Sequence, residues 1–140
     1  MQLLVADQRR SRGLLDTSVI IDLEQLESDH LPIESAVSAI TMAELAAGPH
    51  ATQDPHERAR RQDRLQRAEA AFDPLPFDSE ASRAYGRIYA AVVGAGREAR
   101  GARAVDFLIA ATACSNGLPL YTRNPADFHA LDTLVEVVSV

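Results

Sequence analysis

Apolar positions along the chain follow two rhythms, short unbroken runs and stripes at helical spacing. Gly13-Leu-Leu-Asp16 is a short apolar run that ends on a carboxylate. Thr17-Ser18 then opens a stretch with Val19, Ile20, Leu23 and Leu26 at helical spacing, which predicts a helix over 19–26. Ala36-Val37-Ser38-Ala39-Ile40 reads as a second strand. Thr41 can cap the helix after it, which carries Met42, Leu45 and Ala46 until Gly48-Pro49 stops it. Asp54-Pro55-His56-Glu57 offers a capping acid, proline at the first helical position and Glu three residues after the cap, so a helix is predicted from there to about Phe72. Pro74 to Phe77 is briefly extended. Asp78-Ser79 starts a helix whose stripe is Ala81, Ala84, Tyr85, Ile88, Ala91 and Val92, with Gly94 and Gly96 ending it. Val105 to Ser115 is small and apolar, a buried helix closed by Asn116-Gly117. Leu118 to Tyr121 and Val135 to Val138 are the remaining strands.

Short apolar strands alternating with helices predict an α/β fold, a parallel sheet of four to five strands with helices on both faces. No repeat or linker divides the chain, so residues 1–12 read as an N-terminal arm and 13–140 as one domain. In such sheets ligands gather beyond the carboxyl ends of the strands, which is where Asp16 falls.

Composition narrows the chemistry. All 14 basic side chains are arginine, against 20 acidic ones. Without lysine there is no Schiff base, no P-loop lysine and no lysine general base. A receiver-like domain or phosphoaspartyl phosphatase, with Asp16 as acceptor, would lack the lysine it needs. The single cysteine, Cys114, cannot form an internal disulfide and suits a reducing cytoplasm. It sits among alanines and reads as a small core residue. The run Leu3 to Ala6 is too short for a signal-peptide core or a membrane span, so no membrane association is expected. A net charge of -6 argues against a generic nucleic-acid coat but leaves room for a nuclease whose metal ions reverse the local sign.

Four acids stand in informative settings. Asp16 follows the first strand, Glu44 is read onto the first turn of the helix after the second, Asp106 opens the apolar helix, and Asp127 lies just beyond the strand at Tyr121. Each has an ordinary explanation as a cap, a helix-dipole partner or a turn residue. Capping does not, however, require four acids on one rim. Together they suit Mg2+ or Mn2+, hard cations that take oxygen ligands.

Leu14-Leu-Asp-Thr-Ser-Val-Ile-Ile21, Ile40-Thr-Met-Ala-Glu-Leu45, Asp106-Phe-Leu-Ile-Ala-Ala111 and Leu120-Tyr-Thr-Arg-Asn-Pro-Ala-Asp-Phe128 occur in that order. Together they resemble the PIN-domain ribonucleases, and most closely the VapC toxins of bacterial toxin–antitoxin pairs, from about Leu14 to Val140. The resemblance implies a three-layer α/β/α PIN-like fold and Mg2+- or Mn2+-dependent hydrolysis of RNA. It further implies a VapB-like antitoxin partner and a homodimer. It assigns Asp16, Glu44, Asp106 and Asp127 to catalysis, with Asp16 and Asp106 as direct metal ligands. Ser18, Thr122, Arg123 and Asn124 become candidate substrate contacts. The fourth acidic position is divided between Asn124, after the Thr-Arg pair, and Asp127, before the phenylalanine. The same resemblance leaves one rival, a non-catalytic PIN-like interaction module.

Two arginine groups remain. Arg58, Arg61 and Arg64, with Arg60 and Arg67 nearby, form either a solvated helix face or a strip for RNA or antitoxin. Arg97, Arg100 and Arg103 lead into Asp106 and are better placed to meet phosphate, as is Arg123. The four histidines show no ligand spacing. Tyr85 and Tyr89 read as core or dimer-interface residues.

Overall fold

The computed structural model describes residues 9–101 and 103–140. The sheet contains β1 (Arg12–Leu15), β2 (Glu34–Ala36), β3 (Leu120–Thr122) and β4 (Val137–Ser139) in the order β2-β1-β3-β4, and every pairing is parallel. Five helices pack on it: α1 (Thr17–Ile21), α2 (Ala39–Ala47), α3 (Pro55–Ala71), α4 (Ser79–Gly94) and α5 (Arg103–Ser115). Successive strand residues point to opposite faces, and each face has its own core. Leu14 and Leu120 are fully buried under α4 and α5, with Ala84, Ile88, Val92, Ile109 and Ala113. Leu15 and Tyr121 lie under the other helices, with Val19, Leu45, Leu65 and Ala68. This is the three-layer α/β/α arrangement that the alternation of strands and helices predicts. Residues 1–8, most of the N-terminal arm, lie outside the described residues.

Two helix starts are capped as the sequence reads. Asp54 accepts from the His56 amide at 3.1 Å and Asp78 from the Ala81 amide at 2.9 Å. The α4 stripe buries Ala81, Ala84, Ile88 and Val92, leaving Tyr85 and Ala91 half-buried. Gly117, at φ +63°, closes α5 in the left-handed region that glycine adopts without strain.

Several boundaries differ from the sequence reading: α5 begins at Arg103 rather than Val105, and β3 spans Leu120–Thr122 rather than Leu118 to Tyr121. The first helix stops at Ile21, and Leu23–Gln25 continue as a 3-10 turn held by Gln25 N–H to Asp22 O at 2.9 Å. Leu23 and Leu26 still pack on the core, so their spacing reported burial rather than α-helix. β2 ends at Ala36 because Ser38, not Thr41, caps α2, accepting from the Thr41 amide at 3.0 Å. The last strand starts two residues later than its apolar run and ends one later.

Parallel strands put all four carboxyl ends on one edge. β1 and β3 are neighbours, and the Asp16 amide bonds to Tyr121 O at 2.8 Å, so Asp16 and Thr122 leave the sheet side by side. α5 returns the chain to the start of β3, which places its first turn, with Asp106, at that same edge.

Candidate active site

Asp16 is at once a helix cap and the centre of the rim. In extended backbone (φ -64°, ψ 157°) it begins α1, and its Oδ1 accepts the Thr17 amide at 2.9 Å. Its Oδ2 accepts two hydroxyls, Ser18 Oγ at 3.0 Å and Thr122 Oγ1 at 2.8 Å. Only 4% of the residue is exposed. Each hydroxyl in turn accepts a backbone amide from the loop after β3, Ser18 from Arg123 at 3.1 Å and Thr122 from Asn124 at 3.0 Å. Two relays therefore run from the loop amides through the hydroxyls to one carboxylate oxygen, and such chains polarise cooperatively.

Glu44 lies on the sixth residue of α2 rather than the first turn, because the helix begins at Ala39. Thr17 holds it, its hydroxyl 2.5 Å from Glu44 Oε1 and 3.0 Å from the buried Thr41 hydroxyl. Thr17 has no separate place in the sequence reading. The Thr-Ser pair after Asp16 was its signal: one hydroxyl turns to Asp16, the other to Glu44.

Asp106 is half-buried on the first turn of α5, and among the described residues its carboxylate accepts no hydrogen bond. Its pKa is raised from 3.8 to about 6, first by burial and then by the charges of Asp16, Glu44 and Asp127, with Arg103 opposing. The four acids therefore share one field. Among the described residues no three His, Cys, Asp or Glu side chains converge as a ready-made metal cage. Each of the other three is tied to its own neighbour, Asp16 to the hydroxyls, Glu44 to Thr17 and Asp127 to Arg103. The donor set still fits a hard divalent cation. It is all oxygen, it holds excess negative charge, and among the described residues nothing occupies the lone pairs of Asp106.

Asp127, in the 3-10 segment Pro125–Leu131, forms an ion pair with Arg103 at 2.8 Å. The Arg123 guanidinium turns toward Asp22 at 3.5 Å, while its amide serves Ser18. Asn124 contributes its amide, and its side chain is exposed. On α3, Arg58 and Arg61 donate to carbonyls of Pro49, Thr52 and Gly48, and Arg60 and Arg67 pair with acids. Arg58 and Arg61 thus tie α3 to the segment 48–52, while Arg60 and Arg67 make exposed pairs along the helix. Two concavities, of about 800 and 390 Å³, lie away from the acids, one beside Tyr121 and Val138 and one between α3 and the segment Ile20–Gln25. The acids line a partly exposed rim instead, with Glu44, Asp106 and Asp127 half-buried and Asp16 buried.

A parallel sheet whose carboxyl edge gathers acids from β1, α2 and α5 is the arrangement of a PIN domain, and the family model described as "PIN domain" matches residues 13–134. The chain is 37% identical over 133 residues to Ribonuclease VapC5 of Mycobacterium tuberculosis (strain ATCC 25618 / H37Rv), covering 91% of this chain and 95% of the relative. It is 36% identical over 129 residues to VapC ribonuclease Y4jK of Sinorhizobium fredii (strain NBRC 101917 / NGR234), covering 84% and 90%. The crystal structure of VapBC-5, a member of the VapBC family of toxin-antitoxin systems from Mycobacterium tuberculosis, superposes with a TM-score of 0.82 at 36% identity, over 93% of this chain and 99% of that one. The chain belongs to the PIN-domain family, in its VapC branch.

Proposed function

We propose that the chain is a metal-dependent endoribonuclease, the toxin of a pair held in check by a VapB-like antitoxin. The observation that carries this reading is the grouping of Asp16, Glu44, Asp106 and Asp127 at one sheet edge, where among the described residues Asp106 has no hydrogen-bond donor. The relatives' names, ribonuclease and VapBC, support the substrate class and the partner.

Asp16 and Asp106 would hold Mg2+ or Mn2+, Asp16 fixed by three hydrogen bonds and Asp106 by its place on α5. When bound, the cation supplies Lewis acidity, activating water and offsetting charge that develops on the phosphoryl group. Glu44, held by Thr17, adds negative charge beside them and can take a proton from the attacking water. Ser18 and Thr122 fix the Asp16 carboxylate, so the site spends no energy reorganising during the reaction. Water rather than the RNA 2′-OH attacks, leaving a 5′-phosphate and a 3′-hydroxyl.

The test is cleavage of total RNA with Mg2+ or Mn2+ by the wild type, Asp16→Ala and Asp106→Ala. The reading predicts cleavage by the wild type alone. Equal activity in all three would remove it, and no cleavage even by the wild type would leave an interaction module.

A further inference from the structure

We propose that Arg103 is the residue that receives the RNA phosphate at this rim, and that Asp127 is its positioning residue rather than a metal ligand. The inference rests on the nuclease reading above and assigns parts within it.

The geometry starts from the helix. Arg103 and Asp106 are three residues apart on the first turn of α5, so their side chains rise from the same face. Asp106 faces the other acids, and Arg103 therefore stands over the same rim. Its guanidinium does not reach Asp106 as a partner. It is drawn to the opposite wall, where Nη1 lies 2.8 Å from Asp127 Oδ1. The Asp127 side chain is one-third exposed (33%) and that of Arg103 about half (47%), so the pair is open to solvent on one side. A guanidinium carries five N–H donors in a planar fork, more than one carboxylate can take. Among the described residues the remaining donors have no partner and can meet a phosphate, which a planar fork binds bidentately.

The supporting loop is tied down in the same way. Arg97, in the segment that joins α4 to α5, donates to Ala126 O at 3.3 Å, next to Asp127. Two arginines thus fasten this approach to the 3-10 segment, and Arg103 is the one whose partner is an acid of the rim. An Asp that is already neutralised at 2.8 Å by a cation of its own chain is poorly suited to a second, divalent one. As a holder of the arginine fork it has a use: it stops a flexible side chain from sweeping solvent and fixes where phosphate is met.

Two measurements test this without relying on turnover. Affinity for a fluorescein-labelled single-stranded RNA is measured in EDTA, where no cleavage occurs, and Mn2+ affinity is measured by calorimetry without RNA. Arg103→Gln is expected to weaken RNA binding about tenfold, the scale of one charge-assisted contact. It should also make the slope of log K on log salt shallower by about 0.7, the contribution of one phosphate contact to a single strand. Arg103→Lys keeps the charge but not the fork and should recover part of the affinity. Asp127→Asn in the Arg103→Gln background removes the pair without changing net charge. It should alter Mn2+ affinity by less than about threefold, whereas a ligand should cost at least the roughly 10–100-fold that even an outer partner of a ligand is worth.

Unchanged RNA affinity and salt slope in Arg103→Gln would overturn the assignment. So would loss of Mn2+ binding in the double variant, which would return Asp127 to the metal. A wild type that neither binds Mn2+ nor cleaves RNA contradicts the nuclease reading itself, and this inference falls with it.

Discussion

Thr122 Oγ1 donates to Asp16 Oδ2 at 2.8 Å, joining the ends of two neighbouring strands across 106 residues of sequence. The bond exists because β1 and β3 are parallel and in register, so the residue after each strand meets the other. It also makes the acceptor's position a property of the sheet rather than of a loop.

Thr122→Val keeps the shape of the side chain and removes the donor. The change leaves a buried carboxylate short of one bond and should cost about 1.5–3 kcal/mol of stability. Positioning partners of this kind are worth about 10–100-fold in metal affinity or activity. Thr122→Ser should recover most of both. Chemical denaturation and RNA cleavage on the same three proteins check this.

Gly13 supports the same strand from the other end. A Cβ built there would lie 2.4 Å from Cε1 and 2.8 Å from Cδ1 of Tyr121, whose residue is only 2% exposed. The ring packs in the second core and must shift toward the concavity beside Val138 to admit the Cβ. Gly13→Ala is therefore expected to destabilise the fold by about 1–3 kcal/mol, as overpacking does. A denaturant midpoint lowered at constant slope would register it.

Asp106 links the site to stability. With its folded-state pKa raised from 3.8 to about 6, the folded protein holds this proton after the unfolded chain has released it. The stability this group contributes is full below its unfolded pKa and is lost as pH rises through 6. Asp106→Asn cannot ionise. In metal-free protein at about pH 7.5 it should melt roughly 3 °C higher than the wild type, an effect of roughly 1 kcal/mol once solvent screening at a half-exposed group is allowed for. At about pH 3, below the unfolded value of 3.8, the difference should vanish, because the Asp106 carboxyl is then largely protonated in the folded and the unfolded protein alike. Added Mn2+ should stabilise the wild type and not the variant. Melting curves at the two pH values, with and without Mn2+, decide each point.

Much of this was legible in the chain. Asp54-Pro55 and Asp78-Ser79 announce helix starts through local chemistry alone, and both cap as read. The acids at the strand exits could be placed because parallel strands share one edge. Ser38 was missed as a cap because Thr41, also a capping residue type, stands three positions later, and only the folded backbone shows which hydroxyl meets the free amide. The partners of Glu44 and Asp127 were out of reach for a different reason. Thr17 to Glu44 spans 27 residues, and Arg103 meets Asp127 across the loop that brings α5 and the 3-10 segment together. Rotamers and packing choose such pairs, and no spacing in the sequence reports them.

The most direct test of the central claim is cleavage of an RNA whose 2′-hydroxyls are all methylated, with Mn2+ and with EDTA, followed by end-group analysis. Carboxylate-assisted hydrolysis by water predicts cleavage with Mn2+ only, giving 5′-phosphate ends, and none by Asp106→Asn. Cleavage of unmodified RNA that stops on methylation, or that persists in EDTA, would contradict it.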